Sequence, residues 1–357
     1  MLTTLYAINL QASFFEIGLI VALANLGPML FAVIAGRVSD RIGIRYPLIL
    51  GSFGLGLSLL LPYLVKNQLY ILYLSQILFG IAFIFVLVNI QNLIGGLSSP
   101  DNRSKHYAVY GLGVSTASLI GPSVTGLSID FLGYNLTYLV LSLLAFIPGL
   151  VILTNALTLP ELTSKEKTIQ KNIKDLLKSK PLMKTYLTSA IILTGISLYE
   201  FYFPIYSNYL GFSASTIGII LSIYAAAFII VRTLMPYLTS KYGEEPILFR
   251  CMFIASGAFV LLPFFKGMVA LAIISFILGT GLGIGQPLSI SMAYSASPKG
   301  RTGEVLGIRL TINKTAQFLV PIVFGSVGTW LGVFPVFFTS SLLLFSTAYV
   351  NLSSQPR

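Results

Sequence analysis

The chain has 357 residues, of which 55% are hydrophobic and only 9% charged, and its mean hydropathy is +0.88. A soluble domain carries about 25% charged residues, so this composition excludes one and requires a polytopic, all-α membrane protein. The net charge of +11 does not call for nucleic acid, because the basic residues collect in loops on one side of a bilayer.

Residues 1–9 read as the outer end of a first helix, followed by a short external turn at Gln11–Phe15. Charge-free apolar runs then place helix 2 over about 16–36 and helix 3 over about 46–65, each near the 20 residues that a span needs. Between them, GRVSDRIGIRYPLILG (Gly36–Gly51) gathers Arg37, Asp40, Arg41 and Arg45, and is expected to be a short loop in water. Helix 4 follows over about 69–95, the loop SSPDNRSKH at Ser98–His106, helix 5 over about 107–129 and helix 6 over about 134–158. The stretch Thr163–Lys180 is the one soluble-looking segment. Its Ile169, Ile173, Leu176 and Leu177 recur at helical spacing, which predicts a basic amphipathic helix on the inner leaflet, ended by Pro181. Helices 7 to 12 occupy about 184–209, 214–238, 246–265, 268–294, 303–329 and 332–352.

The halves repeat one another. Ile17-Gly18 recurs as Ile217-Gly218, Gly43 as Gly243, Leu48 as Leu248 and Lys66 as Lys266, all 200 residues apart. Gly80 recurs as Gly279, Pro122 as Pro321 and Gly126 as Gly325 at a spacing of 199. Two six-helix bundles are expected, over 1–160 and 184–357, joined by a basic linker over 161–183. Helix 7 begins near Lys184, so the same offset puts the start of helix 1 upstream of Met1, and the chain is expected to lack its inner half. With the Gly36 loop in the cytoplasm, 17 of the 22 basic residues fall on that side. Lys66 and Lys266 fall outside, and Arg232, Arg309 and Lys314 lie within helices. This bias puts the central loop and carboxyl terminus in the cytoplasm of a cell bounded by its inner (plasma) membrane. The lone Cys251 reads as a packing residue.

Gly36, Ser39, Asp40, Arg41, Gly43 and Arg45 resemble the loop that marks the major facilitator superfamily (MFS), G-x-x-[SA]-D-R-x-G-[RK]-[RK], with Ile44 in place of one basic residue. The 6+6 repeat, the basic middle loop and the G-x-G-x-x-Q-P run at Gly281–Pro287 extend the resemblance over the whole chain. It implies a twelve-helix fold of two bundles rocking about a midplane site, by alternating access. It also implies a latch in which Asp40 and Arg41, framed by Gly36, Gly43 and Arg45, face the start of helix 11 near Gly303. Ser240 stands at the Asp position in the second copy, so the latch is expected on one side only. Gly121, Pro122 and Gly126 keep most of the Gly-Pro-x-x-Gly-Gly element of exporters, and are read first as helix-packing residues. Gln76 holds the position where proton-coupled exporters often carry Arg, which counts against that proton route.

Charge inside a membrane helix is costly and points to function. Glu200, the only acid deep in a predicted helix, is the candidate for proton coupling. Lys314, about eleven residues into helix 11, is a candidate for binding an anionic substrate group or pairing with Glu200. Arg232 is assigned to a gate or brace, and Arg309 to the same role or to snorkelling at the inner surface. Tyr199, Tyr202, Tyr206, Gln91 and Gln286 are further candidate substrate contacts, on helices that line the cavity in the family. His106 lies in a loop, and no metal cluster, nucleotide loop or catalytic triad is visible, so neither enzyme nor cofactor is expected. The reading is a monomeric secondary transporter moving small organic molecules outward with protons as partners. An importer or uniporter of an organic anion, and a sensor that binds without transporting, are the alternatives.

Overall fold

The computed structural model describes residues 1–97, 103–154, 174–298 and 302–353. Its helices are α1 (Leu2–Asn9), α2 (Phe14–Ile42), α3 (Arg45–Leu64), α4 (Leu69–Leu97), α5 (Arg103–Leu153) and the short α6 (Lys174–Lys178). The second half adds α7 (Lys180–Tyr209), α8 (Ala214–Tyr242), α9 (Glu244–Leu261), α10 (Met268–Gly283), α11 (Gly285–Ser295), α12 (Thr302–Leu331) and α13 (Phe334–Ser353). Among the described residues nine helices are long and apolar enough to cross a bilayer. Leu50, Val269 and Phe131 expose 70%, 72% and 83% of their surface outward, an arrangement only lipid rewards.

The expected helices are present, the first as the eight-residue α1, with two changes of grouping. Helices 5 and 6 run together as α5, broken at Gly133 where φ is +76°. Helix 10 is divided into α10 and α11 because Pro287 cannot donate to the Gly283 carbonyl four residues back, and its ring crowds it. The polar segment after Gly36 is mostly not a loop. Helix α2 continues to Ile42, α3 begins at Arg45, and only Gly43 and Ile44 connect them. A polar sequence permits a helix to run past the membrane, and Gly43 stops it by adopting φ +79°, as Gly243 does at φ +83° after α8.

The repeat holds down to single hydrogen bonds. Helix α1 ends with Ala12 N–H donating to Ala7 O and Gln11 N–H to Ile8 O; α7 ends with Phe212 N–H donating to Ser207 O and Gly211 N–H to Asn208 O. Both are the same left-handed helix stop, with Gln11 at φ +60° and Gly211 at φ +80°. Ser13 and Ser213 then cap α2 and α8 with nearly identical backbone angles.

Within the first bundle α2 packs on α4, and α3 on α4 and α5; within the second, α8 packs on α10, α9 on α10 and α13, and α7 on α12. The bundles meet where α2 lies along α12 and α5 along α8. Of the predicted linker helix, residues 163–173 lie outside the described residues. In α6, Leu176 does not face lipid: it is buried with Leu182, Tyr186, Ala293 and Val305, so this end of the segment docks on the second bundle.

Candidate functional site

The bundle interface is closed at the end bearing Ser13 and Ser213, here the far end, and parted toward the end bearing Gly43 and Gly243, here the basic end. Closure rests on the residues the repeat had matched. A Cβ on Gly18 would overlap the Pro321 carbonyl oxygen, and one on Gly218 would overlap that of Pro122. Gly126 likewise abuts the Ala214 carbonyl, and Gly325 the Phe14 carbonyl. Small residues let the helices approach to backbone contact, twice, about one pseudo-twofold axis. Ser123 and Ser222 add a 2.8 Å hydrogen bond across α5 and α8. In contrast Gly36, Gly113 and Gly307, in the basic halves of α2, α5 and α12, have open space on their Cβ side.

The far end carries a charged link that sequence reading missed. Asp130, in the first bundle, accepts hydrogen bonds from the backbone N–H groups of Ala214 at 3.1 Å and Ser215 at 2.8 Å, the first two of α8 in the second bundle. These are donors that a helix start leaves unpaired, and the positive end of the helix dipole favours a carboxylate there. In the matching helix α2, Glu16 closes a capping box on Ser13 within its own chain segment. Thr216 stands at that position in α8. The absence of the box acid from one of two otherwise matched helix starts was the available signal.

Beyond this closure lie two cavities that meet at Met1, Glu200 and Gln317. The first, about 400 Å³, opens between Ser118 and Pro122 of α5 and Phe228 and Arg232 of α8, with Gln286 of α11. The second, about 310 Å³, is lined by Asn25, Gln76, Ser197, Lys314 and Pro321 among others. Glu200 is the single carboxylate on either wall among the described residues.

Arg232 is held by the defect in the tenth span. Its Nε donates at 3.0 Å to Gly283 O, the carbonyl that Pro287 leaves without a helical donor. Its Nη2 makes a long 3.5 Å contact to Gln286 Oε1, and the Phe228 ring lies 5.3 Å from the guanidinium carbon. Arg309 does not snorkel. It is only 5% exposed, and Nη2 donates to Ser289 Oγ at 2.6 Å and to Gln286 O at 3.3 Å, while Nε has no partner. Behind it Ser289, Ser189 and Asn313 continue a buried hydrogen-bonded chain. Lys314 donates to Gln317 Oε1 at 2.9 Å and does not pair with Glu200.

Three expected cavity contacts turn elsewhere. Tyr199, Tyr202 and Tyr206 are each at most 4% exposed and point into the second bundle. Their hydroxyls are engaged by Ser275 Oγ, Phe324 O and Phe265 O respectively, which satisfies them as core residues. Gln91 is exposed on α4 and lines neither cavity. Gly121 has open space on its Cβ side among the described residues, whereas Pro122 and Gly126 pack against α8. The side chains of Asp40 and Arg41 lie outside the described residues; Arg45 ties the start of α3 to α5 through Nη2 and Ile152 O at 3.3 Å.

Two repeated helical bundles around a shared, charged cavity define a membrane transporter rather than an enzyme. The model of the Major Facilitator Superfamily matches residues 1–321, and the chain belongs to that family. It is 27% identical to Multidrug resistance protein 2 of Bacillus subtilis (strain 168), over 66% of this chain and 60% of that relative. It is 20% identical to Quinolone resistance protein NorA of Staphylococcus aureus (strain MSSA476), over 96% of this chain and 88% of that one. A crystal structure of the nucleoside transporter NupG superimposes with a TM-score of 0.82 at 16% identity, covering 99% of this chain and 94% of that one, a likeness of fold alone.

Proposed function

We propose that this transporter exports small organic molecules in exchange for protons, by alternating access, with Glu200 as the group that carries the proton. One observation carries the reading: Glu200 sits where the two cavities meet, so a cargo in either one shares its surroundings. A carboxylate in a cavity of low polarity is stabilised either by a proton or by a cationic group of the cargo, and competition between them couples the two flows. The direction is supported by the two relatives above, which are named for drug resistance. Lys314 and Gln286 serve as cargo contacts, and Arg232 and Arg309 brace α8 and α12 to the broken tenth span. The basic end faces the cytoplasm, in keeping with the positive-inside rule, so the conformation described is open inward. In the opposite conformation Asp40 and Arg41 would latch the basic end to α12, framed by Gly36, Gly43 and Arg45. The protein works as a monomer.

The test uses the purified chain in vesicles loaded with a pH-reporting dye, with a fluorescent quinolone and an aromatic cation as cargo probes. Cargo-driven proton movement is expected in the wild type and absent from Glu200→Gln, which still binds the probe. Equal cargo movement in both proteins without proton movement would make the protein a facilitator and Glu200 structural.

A further inference from the structure

We propose that Arg232 is an acid-recognising subsite in the first cavity, so that the cargo class includes aromatic or other apolar molecules bearing a carboxylate. This rests on the reading of that cavity as the cargo site, and names what it takes.

The first argument is charge. Among the described residues the two cavities present two cationic side chains, Arg232 and Lys314, against one carboxylate, Glu200, and a third cationic side chain, Arg309, is buried close behind. Among the described residues none of these three side chains has a carboxylate partner. Arg232 and Arg309 converge on one residue, Gln286: Arg232 reaches its side-chain oxygen and Arg309 its backbone oxygen. Uncompensated cations in a site of low dielectric make it attractive to an anion, and the attraction is strongest where they cluster.

The second argument is geometry. A guanidinium recognises a carboxylate best through two parallel N–H groups, and only if it is held still. Arg232 is held through Nε on Gly283 O and by the Phe228 ring, both fixed by the spans around them. Those anchors use one edge of the fork. Among the described residues Nη1 has no hydrogen-bond partner and Nη2 only its long contact, so the Nη1–Nη2 edge remains for a ligand. That edge lies beside the cavity, within reach of what enters it. Lys314, by contrast, donates to Gln317 and offers a point charge in the other cavity.

The third argument is the body of the ligand. Leu193, Ile196, Leu221, Ala225 and Phe228 give the first cavity an apolar wall, and Ser115 and Ser118 supply hydroxyls opposite. An acidic head on an apolar, preferably aromatic, body matches that wall and leaves few polar groups unpaired. A ligand that also carries an amine would reach toward Glu200 at the junction of the two cavities.

The probes are matched pairs on the purified full-length chain in lipid nanodiscs: 2-naphthoate against 2-naphthamide, and 4-biphenylcarboxylate against its amide. The wild type is expected to bind each acid about tenfold more tightly than its amide. Arg232→Gln should remove that preference by weakening the acids and leaving the amides unchanged, which also reports that the variant is folded. Lys314→Gln should keep the preference. Should Arg232→Gln not fold, location is read from cysteines placed at Ser118 and Asn25, one in each cavity, against the quiet background of buried Cys251. The acids should then protect position 118 from a thiol reagent and leave position 25 reactive. Acids that bind no more tightly than amides, a preference that survives in Arg232→Gln, or protection at 25 alone would overturn the proposal. Arg232-dependent acid binding with no flux of any probe through vesicles would leave the subsite standing and remove the transport reading. Proton-coupled flux of a cation with no acid preference would do the reverse.

Discussion

Replacing Asp130 by Asn tests whether one side chain of the first bundle holds the far end shut. The carboxylate accepts two hydrogen bonds, at 3.1 and 2.8 Å, from the start of α8. Asn keeps the shape but loses the charge and one acceptor oxygen. Loss of a helix-capping acceptor costs about 1 kcal/mol, and this exposed position, open to water, argues against a larger figure. About 1 kcal/mol shifts the ratio of far-end-open to far-end-closed molecules about fivefold. Spin labels at Tyr70 at the start of α4 and Tyr209 at the end of α7 report the gap, because both are far-end residues with exposures of 62% and 81%. The distance distribution between them should gain a longer component in Asp130→Asn. Thr216→Glu should act in the same direction, since it rebuilds the capping box that α2 has and sets a like charge beside Asp130. In that background Asp130→Asn should have little further effect. An unchanged distribution in Asp130→Asn would refute the idea that this contact contributes to closure.

Gly218→Ala should open the far end more than Asp130→Asn does, because its Cβ meets backbone, the Pro122 carbonyl, which has no rotamer to yield. Gly113→Ala, on α5 but facing open space, should leave the same label distances unchanged, and an equal effect from both would sink the steric argument. Tyr199→Phe should lower thermal stability by about 1 kcal/mol, the worth of its buried 2.6 Å hydrogen bond to Ser275, and leave probe affinity alone. A loss of affinity without loss of stability would return Tyr199 to the cavity.

Spans, their order and the repeat were legible because twenty-residue apolar runs have few alternatives in a membrane. Helix ends were not. The reading stopped α2 near Gly36, where apolar character stops, whereas backbone hydrogen bonding continues through Arg37, Asp40 and Arg41 until Gly43. Depth along a helix was legible and direction around it was not. Tyr199, Tyr202 and Tyr206 share one face at helical spacing, and nothing in their spacing says whether that face meets the cavity or the core. Arg309 and Lys314, five residues apart, point about 140° from one another, so one enters the core and the other a cavity. Arg232 had a readable partner: Pro287 announces an orphaned carbonyl at Gly283, although which donor would find it depends on how α8 lies along α10.

The double contact of Gly18 with Pro321 and Gly218 with Pro122 is an isologous interface folded into a single polypeptide. A half-length chain carrying one such glycine and one such proline would pair with a copy of itself through both contacts at once. Any change in it would then have been imposed twice. Joining the halves lifted that restriction, and the differences now seen between matched positions are of the kind a symmetric pair forbids: Asp40 against Ser240, Glu16 against Thr216, and Asp130 against Thr329. The packing that brings the bundles together has kept its twofold form, while the charged residues set around it have become individual.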